Sequence, residues 1–126
     1  MYAVIEDDHS SRRVLSRVVE KISSSEVIDF SCAESFLRES KIQGHSLKAI
    51  FLDISLPGMS GIEAIPKIKE INTYSEVPII MCSALNDKLT ILKALKAGAA
   101  NFLVKPLSKD SIVKIIESLS DKQAKA

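Results

Sequence analysis

The sequence predicts an α/β fold of three layers, with a parallel sheet held between two layers of helices. Five short runs of β-branched and aliphatic residues recur along the chain, amphipathic stretches separate them, and 126 residues make one domain of ordinary size. An unbroken alternation of strand and helix requires right-handed crossovers between parallel strands, which place helices on both faces of the sheet.

The strands are predicted at Ala3 to Ile5, Val27 to Phe30, Ala49 to Leu52, Ile79 to Cys82 and Phe102 to Val104, each read as buried on both faces. Ser10 or Ser11 is expected to cap a first helix that places Val14, Leu15, Val18, Val19 and Ile22 on one side. A short second helix covers Ala33 to Ser40, with Phe36 and Leu37 inward. The third follows Gly61 with Ile62, Ile65, Ile68 and Ile71 in register. Pro66 inside it lacks the N–H that would reach the Ile62 carbonyl, so a bend or a loosened first turn is expected. Asp87 to Ala97 forms a fourth helix stopped by Gly98, and Ser108 caps a fifth with Ile112, Ile115, Ile116 and Leu119 at helical spacing. Residues 1–119 are thus one domain, and 120–126 a polar tail or the start of a linker.

Composition excludes several classes of function. No apolar run approaches the roughly 20 residues of a membrane span, and the first residues lack a secretory pattern, so a cytoplasmic protein is expected. Cys32 and Cys82 have neither CxxC nor Cys/His ligand spacing and read as free thiols. A net charge of +1 gives no reason to expect nucleic-acid binding. Residues 1–85 nevertheless carry nine basic and twelve acidic side chains, while 86–126 carry eight and four. Acid is concentrated early, and a basic face late.

In a sheet of this kind a ligand site forms beyond the carboxyl ends of the strands. Glu6, Asp7 and Asp8 follow the first strand, and Asp53 ends the third. Taken alone, the first three read equally well as an acidic loop stabilising the N-terminus of the next helix. If the two strands are neighbours, the clustered carboxylates repel and require a cation, and hard oxygen ligands with room for water suit Mg²⁺. Ser83 ends the fourth strand, and Lys105, followed by Pro106, ends the fifth. Singly, a serine or lysine there is a cap or a solvated charge. Together the four ends supply nucleophile, metal site, hydroxyl donor and counter-charge for handling a phosphoryl group.

These residues resemble the receiver domain of two-component response regulators, from about Tyr2 to Leu119. Glu6 and Asp7 match the acidic pair, Asp53 the phosphoacceptor, Leu56 to Gly61 (LPGMSG) the loop after it, Ser83 the hydroxyl position, and Lys105 with Pro106 the Lys-Pro pair. Each motif is weak alone, but the intervals of 46, 30 and 22 residues from Asp7 through Asp53 and Ser83 to Lys105 make the set specific. The resemblance implies a flavodoxin-like, doubly wound sheet in the order 2-1-3-4-5 and a labile phosphate on Asp53, delivered from a sensor histidine kinase or a histidine phosphotransfer protein. It further implies that Asp7, Asp53 and the Ser55 carbonyl bind Mg²⁺, that Glu6 acts mainly through water, and that Lys105 and Ser83 contact the phosphoryl oxygens. By the same resemblance Phe102 is the aromatic that turns inward on activation, and the Lys105–Pro106 peptide is cis. The resemblance also implies that Ser55 and Leu85, two positions after the phosphoacceptor and the hydroxyl residue, influence attack by water. The output surface expected on this resemblance is the face of helix 4, strand 5 and helix 5, offered to an effector or a second receiver.

Three rivals are weaker. A haloacid-dehalogenase-like phosphatase carries a second aspartate two positions after its nucleophile, where Ser55 stands. A flavodoxin cradles phosphate with N–H groups and hydroxyls in the loop after its first strand, whereas this loop is anionic. A degenerate receiver would lack Asp53 or Lys105. The expected role is therefore a signalling phosphoacceptor that takes part in its own phosphorylation and dephosphorylation, not an enzyme of metabolism. His9 reads as an exposed helix-start residue, His45 as a loop residue, and Met81 and Cys82 as core.

Overall fold

The structure, a computed structural model, describes residues 1–126 except Gly44, His45, 85–87 and Ala126, and for 40–43 and 120–125 it describes the backbone. His45, Leu85 and the expected start of the fourth helix at Asp87 therefore lie outside the described residues. Five parallel strands, β1 (Tyr2–Ile5), β2 (Val27–Phe30), β3 (Ala49–Asp53), β4 (Ile79–Ser83) and β5 (Asn101–Val104), form one sheet in the order β2-β1-β3-β4-β5. Between and after them run α1 (His9–Ser23), α2 (Ala33–Gln43), α3 (Gly61–Lys69), α4 (Lys88–Ala97) and α5 (Lys109–Lys125), with a short 3-10 turn at Asn72–Tyr74.

Strand periodicity divides the core in two. Ala3, Ile5, Ile50, Leu52, Ile79 and Met81 face α2, α3 and α4, where Phe36, Ile65, Ile68 and Tyr74 complete the packing. Tyr2, Val4, Ala49, Phe51, Ile80 and Cys82 face the other way, onto Leu15 and Val19 of α1 and Ile112, Ile115 and Ile116 of α5. Each large side chain buried in this way contributes about 1.5–3 kcal/mol. The central strands β1, β3 and β4 are buried throughout. Double-sided burial fails at β2 and β5, which are half-buried or exposed over most of their length. These are the sheet edges, where one side of each strand has no neighbouring strand to cover it.

Local chemistry explains most boundaries. The cap of α1 is Asp8, not Ser10 or Ser11: its carboxylate accepts the Ser11 N–H at 2.8 Å. The α1 helix closes on Ser24, whose left-handed φ of 55° lets its N–H reach the Glu20 carbonyl. Ser60 caps α3 by accepting the Glu63 N–H at 3.2 Å, and the Ala64 N–H reaches the Ser60 carbonyl, so the first turn is not loosened. Pro66 sits inside a continuous helix, where its ring removes one backbone donor only. Ser108 accepts the Ser111 N–H at 3.1 Å at the start of α5. The α5 helix runs on through the expected polar tail to Lys125, since Lys, Gln and Ala favour helix and no Gly or Pro interrupts them.

Candidate functional site

Register places the polar residues at one end of the sheet. Ile5 lies opposite Leu52, Asp53 opposite Cys82, and Ser83 opposite Val104. Glu6 and Lys105 each follow the last residue of their strand, so all four strand ends present a polar group at a common level.

Carboxylate oxygens of Glu6, Asp7 and Asp53 come within 4.8 Å of one another. Glu6 is 4% exposed and Asp53 5% exposed, while Asp7 is open to solvent. Two nearly buried carboxylates at this spacing need positive charge. The Lys105 ammonium supplies it, at 2.5 Å from Glu6 Oε1 and 3.2 Å from Asp53 Oδ2. Burial alone would lower the lysine pKa, but the hydrogen bond to Glu6 and the charge on Asp53 outweigh burial and raise it, so the ammonium form persists. In this arrangement Glu6 meets Lys105 directly, a partnership that the water-mediated metal role implied by the resemblance leaves out. Three oxygen donors, two sheltered and one open to water, fit a hard divalent cation.

The frame around the cluster is built from neighbouring backbone. The Ser55 N–H donates to Asp53 Oδ1 at 3.2 Å, orienting the carboxylate. A side chain at Gly61 would put its Cβ 2.2 Å from the Asp53 carbonyl oxygen, so glycine is needed there for close approach; its N–H reaches the Ile54 carbonyl at 2.9 Å. Gly58 is needed for a different reason, a φ of 71°. The Lys105–Pro106 peptide is cis. Ser83 is buried, and its carbonyl accepts the Lys105 N–H at 2.7 Å, tying the ends of β4 and β5 together. Phe102 lies opposite Met81, half-buried, on the side of the sheet that faces α2, α3 and α4. It stands apart from the carboxylates, two positions before the strand end.

Several contributors escape the sequence reading. Arg12 donates to the Glu6 carbonyl at 3.0 Å and lies 3.6 Å from Asp29, bracing the loop after β1 against β2. Its Nη2 lies 3.1 Å from Nδ1 of His9, which is exposed at the start of α1 as expected. Glu34, in the first turn of α2, accepts the Met59 N–H at 3.1 Å and so holds the loop that follows Asp53. Hydrogen bonding from its own backbone N–H, and then from that of Met59, keeps the Glu34 carboxyl below its ordinary range. Cys82, beside Asp53 in the sheet, has its thiol pushed up to about 12 by burial and then by the Asp53 charge, which makes it inert near neutrality.

Comparisons with known proteins point to one family. A family model, the response regulator receiver domain, matches residues 3–117. The two-component response regulator ARR6 of Arabidopsis thaliana is 32% identical over 124 residues, spanning 91% of this chain and 66% of that protein. Chemotaxis protein CheY of Bacillus subtilis is 38% identical over 76 residues, which cover 60% of this chain and 62% of that one. Among solved structures, Vibrio cholerae CheY4 superposes with a TM-score of 0.85 at 21% identity, covering 94% of this chain and 96% of that one, a likeness of fold. A BeF3-activated receiver domain of DrrB gives a TM-score of 0.78 at 26% identity over 95% and 96% of the two chains.

Proposed function

Since the chain belongs to the response regulator receiver family, we propose that it is a phosphorelay receiver in which Asp53 takes a phosphoryl group from a histidine kinase or a histidine phosphotransfer protein. Receiver domains are signalling domains of two-component systems. The observation that carries the assignment is the meeting of Glu6, Asp7 and Asp53 within 4.8 Å, with Lys105 on two of the three.

Asp53 is the nucleophile: one carboxylate oxygen attacks phosphorus, the bond from phosphorus to the imidazole nitrogen breaks, and the electron pair leaves on that nitrogen. Asp7, Asp53, the Ser55 carbonyl and Glu6 are the residues that would hold Mg²⁺. When bound, the ion supplies positive charge to the phosphoryl oxygens. The Ser55 N–H keeps Asp53 Oδ1 directed, leaving Oδ2, now on Lys105, as the oxygen whose partner changes on transfer. The Lys105 ammonium then moves from carboxylate to a phosphoryl oxygen, a charge-assisted bond of the stronger kind. The Ser83 hydroxyl turns to another oxygen, and Phe102 fills the space this opens between β4 and β5. Such a chain takes part in its own phosphorylation and hydrolysis without turning over a metabolite.

On this reading the output is the face of α4, β5 and α5, toward an effector or a second receiver. Leu89 (63% exposed), Leu92 (52% exposed), Leu95 and Val104 support it, apolar side chains among the exposed Lys88, Lys93 and Lys96. Residues 1–119 are the receiver unit, and 120–126 lead out of it. Among the described residues no helix is long and apolar enough to cross a membrane, and a cytoplasmic site of action is part of the proposal.

Intact-mass measurement after incubation with acetyl phosphate tests the assignment. The parent should gain one phosphoryl group with Mg²⁺ and none with chelator, and Asp53→Asn should gain none. A modified Asp53→Asn protein, or a gain indifferent to chelator, would sink it.

A further inference from the structure

A cavity of about 700 Å³ opens between α1 and the segment that leads from β5 into α5. Glu6, Asp53 and Lys105 form part of its wall, so it is continuous with the carboxylate cluster. Most of the rest is apolar: Val14, Leu15 and Val18 of α1, Leu107 and Ile112 from the α5 side, and Phe51 from the sheet. Val14 is 63% exposed, although the other outward positions of α1 are mostly polar or charged. Ser10, Ser11 and Lys109 add polar groups to the lining. The volume lies in the range of a small organic ligand, and an apolar wall with a few convergent polar groups is the usual makeup of such a site.

On the reading that Asp53 is the phosphoacceptor, we infer that this groove receives the leaving group of a small-molecule phosphodonor, and that its favoured donors are acyl phosphates with an apolar chain longer than acetyl. The carboxylate cluster and Lys105 handle the phosphoryl group whatever it is attached to. Selection among donors must come from surface adjoining that cluster, and the adjoining surface here is mostly apolar, with Lys109 and two serines. An acyl phosphate matches both parts: an anionic head for Lys105 and Lys109, and a hydrocarbon chain for the Val14, Val18 and Leu107 walls. An Asp53 oxygen attacks phosphorus, the bond between phosphorus and the donor's bridging oxygen breaks, and the electron pair leaves on that oxygen as a free carboxylate. No proton or external reductant is needed.

The test compares acetyl phosphate with butyryl phosphate on the full chain at saturating Mg²⁺, following second-order phosphorylation rates by intact mass. Acetic and butyric acids are almost equally acidic, so the intrinsic reactivity of the two donors at phosphorus is matched. A buried methylene is worth about 0.8 kcal/mol, or roughly fourfold, so two partly buried ones should favour butyryl phosphate about tenfold. Val14→Asn and Val18→Asn should each bring the ratio down toward one. Propylphosphonate, which has no transferable phosphoryl group, should shift amide resonances of Val14, Val18 and Leu107, whereas methylphosphonate should not. A parent ratio within about twofold of one, a ratio untouched by both substitutions, or propylphosphonate shifts confined to the loops after β1 and β3 would overturn the inference while leaving Asp53 as the acceptor. Failure of both donors to modify Asp53 would instead remove the phosphoacceptor reading, and this inference with it.

Discussion

The carboxyl ends of β1 and β3 and the α4–β5 edge of the same sheet are built on opposite plans. At the first, fully buried strands hold charged groups in place: Glu6 and Asp53 are all but closed to solvent, and Gly61 fits its backbone against Asp53 with no room for a methyl group. At the second, α4 contributes Ala94 as its buried residue while Leu89, Leu92 and Leu95 remain outside, and β5 is largely exposed. Rigid packing suits a site that must hold a nucleophile still, since orientation is a large part of its chemistry. A thinly packed edge suits a surface that must choose between two arrangements, because local opening costs least where few apolar contacts are made. Lys105 joins the two, with its side chain on Glu6 and Asp53 and its backbone on the end of β4.

The sharpest way to break this contrast is Gly61→Ala. A Cβ 2.2 Å from the Asp53 carbonyl oxygen and 2.8 Å from the Ile54 Cα meets backbone that cannot swing aside. The substitution should cost about 3–4 kcal/mol in denaturant unfolding and abolish phosphorylation together with stability. A loss below about 0.5 kcal/mol would mean that the frame at Asp53 is looser than described.

Lys105→Met removes the counter-charge from two sheltered carboxylates. With chelator present its thermal midpoint should fall below that of the parent, and Mg²⁺ should restore more of it than in the parent. Calorimetric titration should show Mg²⁺ affinity higher by roughly tenfold, about 1.4 kcal/mol, because the ion no longer competes with an ammonium. Weaker Mg²⁺ binding in the variant would make Lys105 a supporter of the metal site instead of its competitor.

Alkaline stability sharpens the burial side of the comparison. The Cys82 thiol is raised from 9.0 to about 12 in the folded chain, so its contribution is complete below pH 9 and is lost as pH rises toward 12. Lys105, also raised, acts in the same direction in the alkaline range. Unfolding free energy should fall above pH 9 at a slope reaching about 1.4 kcal/mol per pH unit from the thiol, and Cys82→Ala should flatten that slope. An unchanged slope would put the thiol in contact with water.

The smallest effect belongs to the edge. Leu92→Ser should change stability by no more than about 0.5 kcal/mol and leave the phosphorylation rate as it was, while weakening phosphorylation-dependent association in sedimentation. A loss above about 2 kcal/mol would show that Leu92 belongs to the core.

Most of the fold was legible because its signals are local. Apolar runs such as Ile79 to Cys82 mark buried strands, and Ser108 marks a helix start. Edge strands misled because β2 and β5 are nearly as apolar as the central three, and only strand order tells which side is uncovered. The cap of α1 fell to Asp8 because its carboxylate competed successfully with nearby serine hydroxyls for the same donors. Site residues were visible as polar punctuation at strand ends, yet the Glu6–Lys105 contact joins residues 99 positions apart and has no local signature. Arg12 and Glu34 read as ordinary exposed helix charges until the loops they brace are in place. The exposed leucines of α4 followed the helical pattern but not the core, since the helix buries Ala94 instead.

The most direct measurement of the link between the two regions is a backbone amide spectrum of the chain with Mg²⁺, before and after beryllofluoride is added as a phosphate mimic. If chemistry at Asp53 is read out at the α4–β5 edge, resonances should move both in the loops after Ile5 and Asp53 and at Ala84, Thr90 to Ala94 and Phe102. Lys105→Met should keep the first set and lose the second. Shifts confined to the loops around Asp7 and Asp53 in the parent would contradict the account, leaving a phosphoacceptor site with no path to this face.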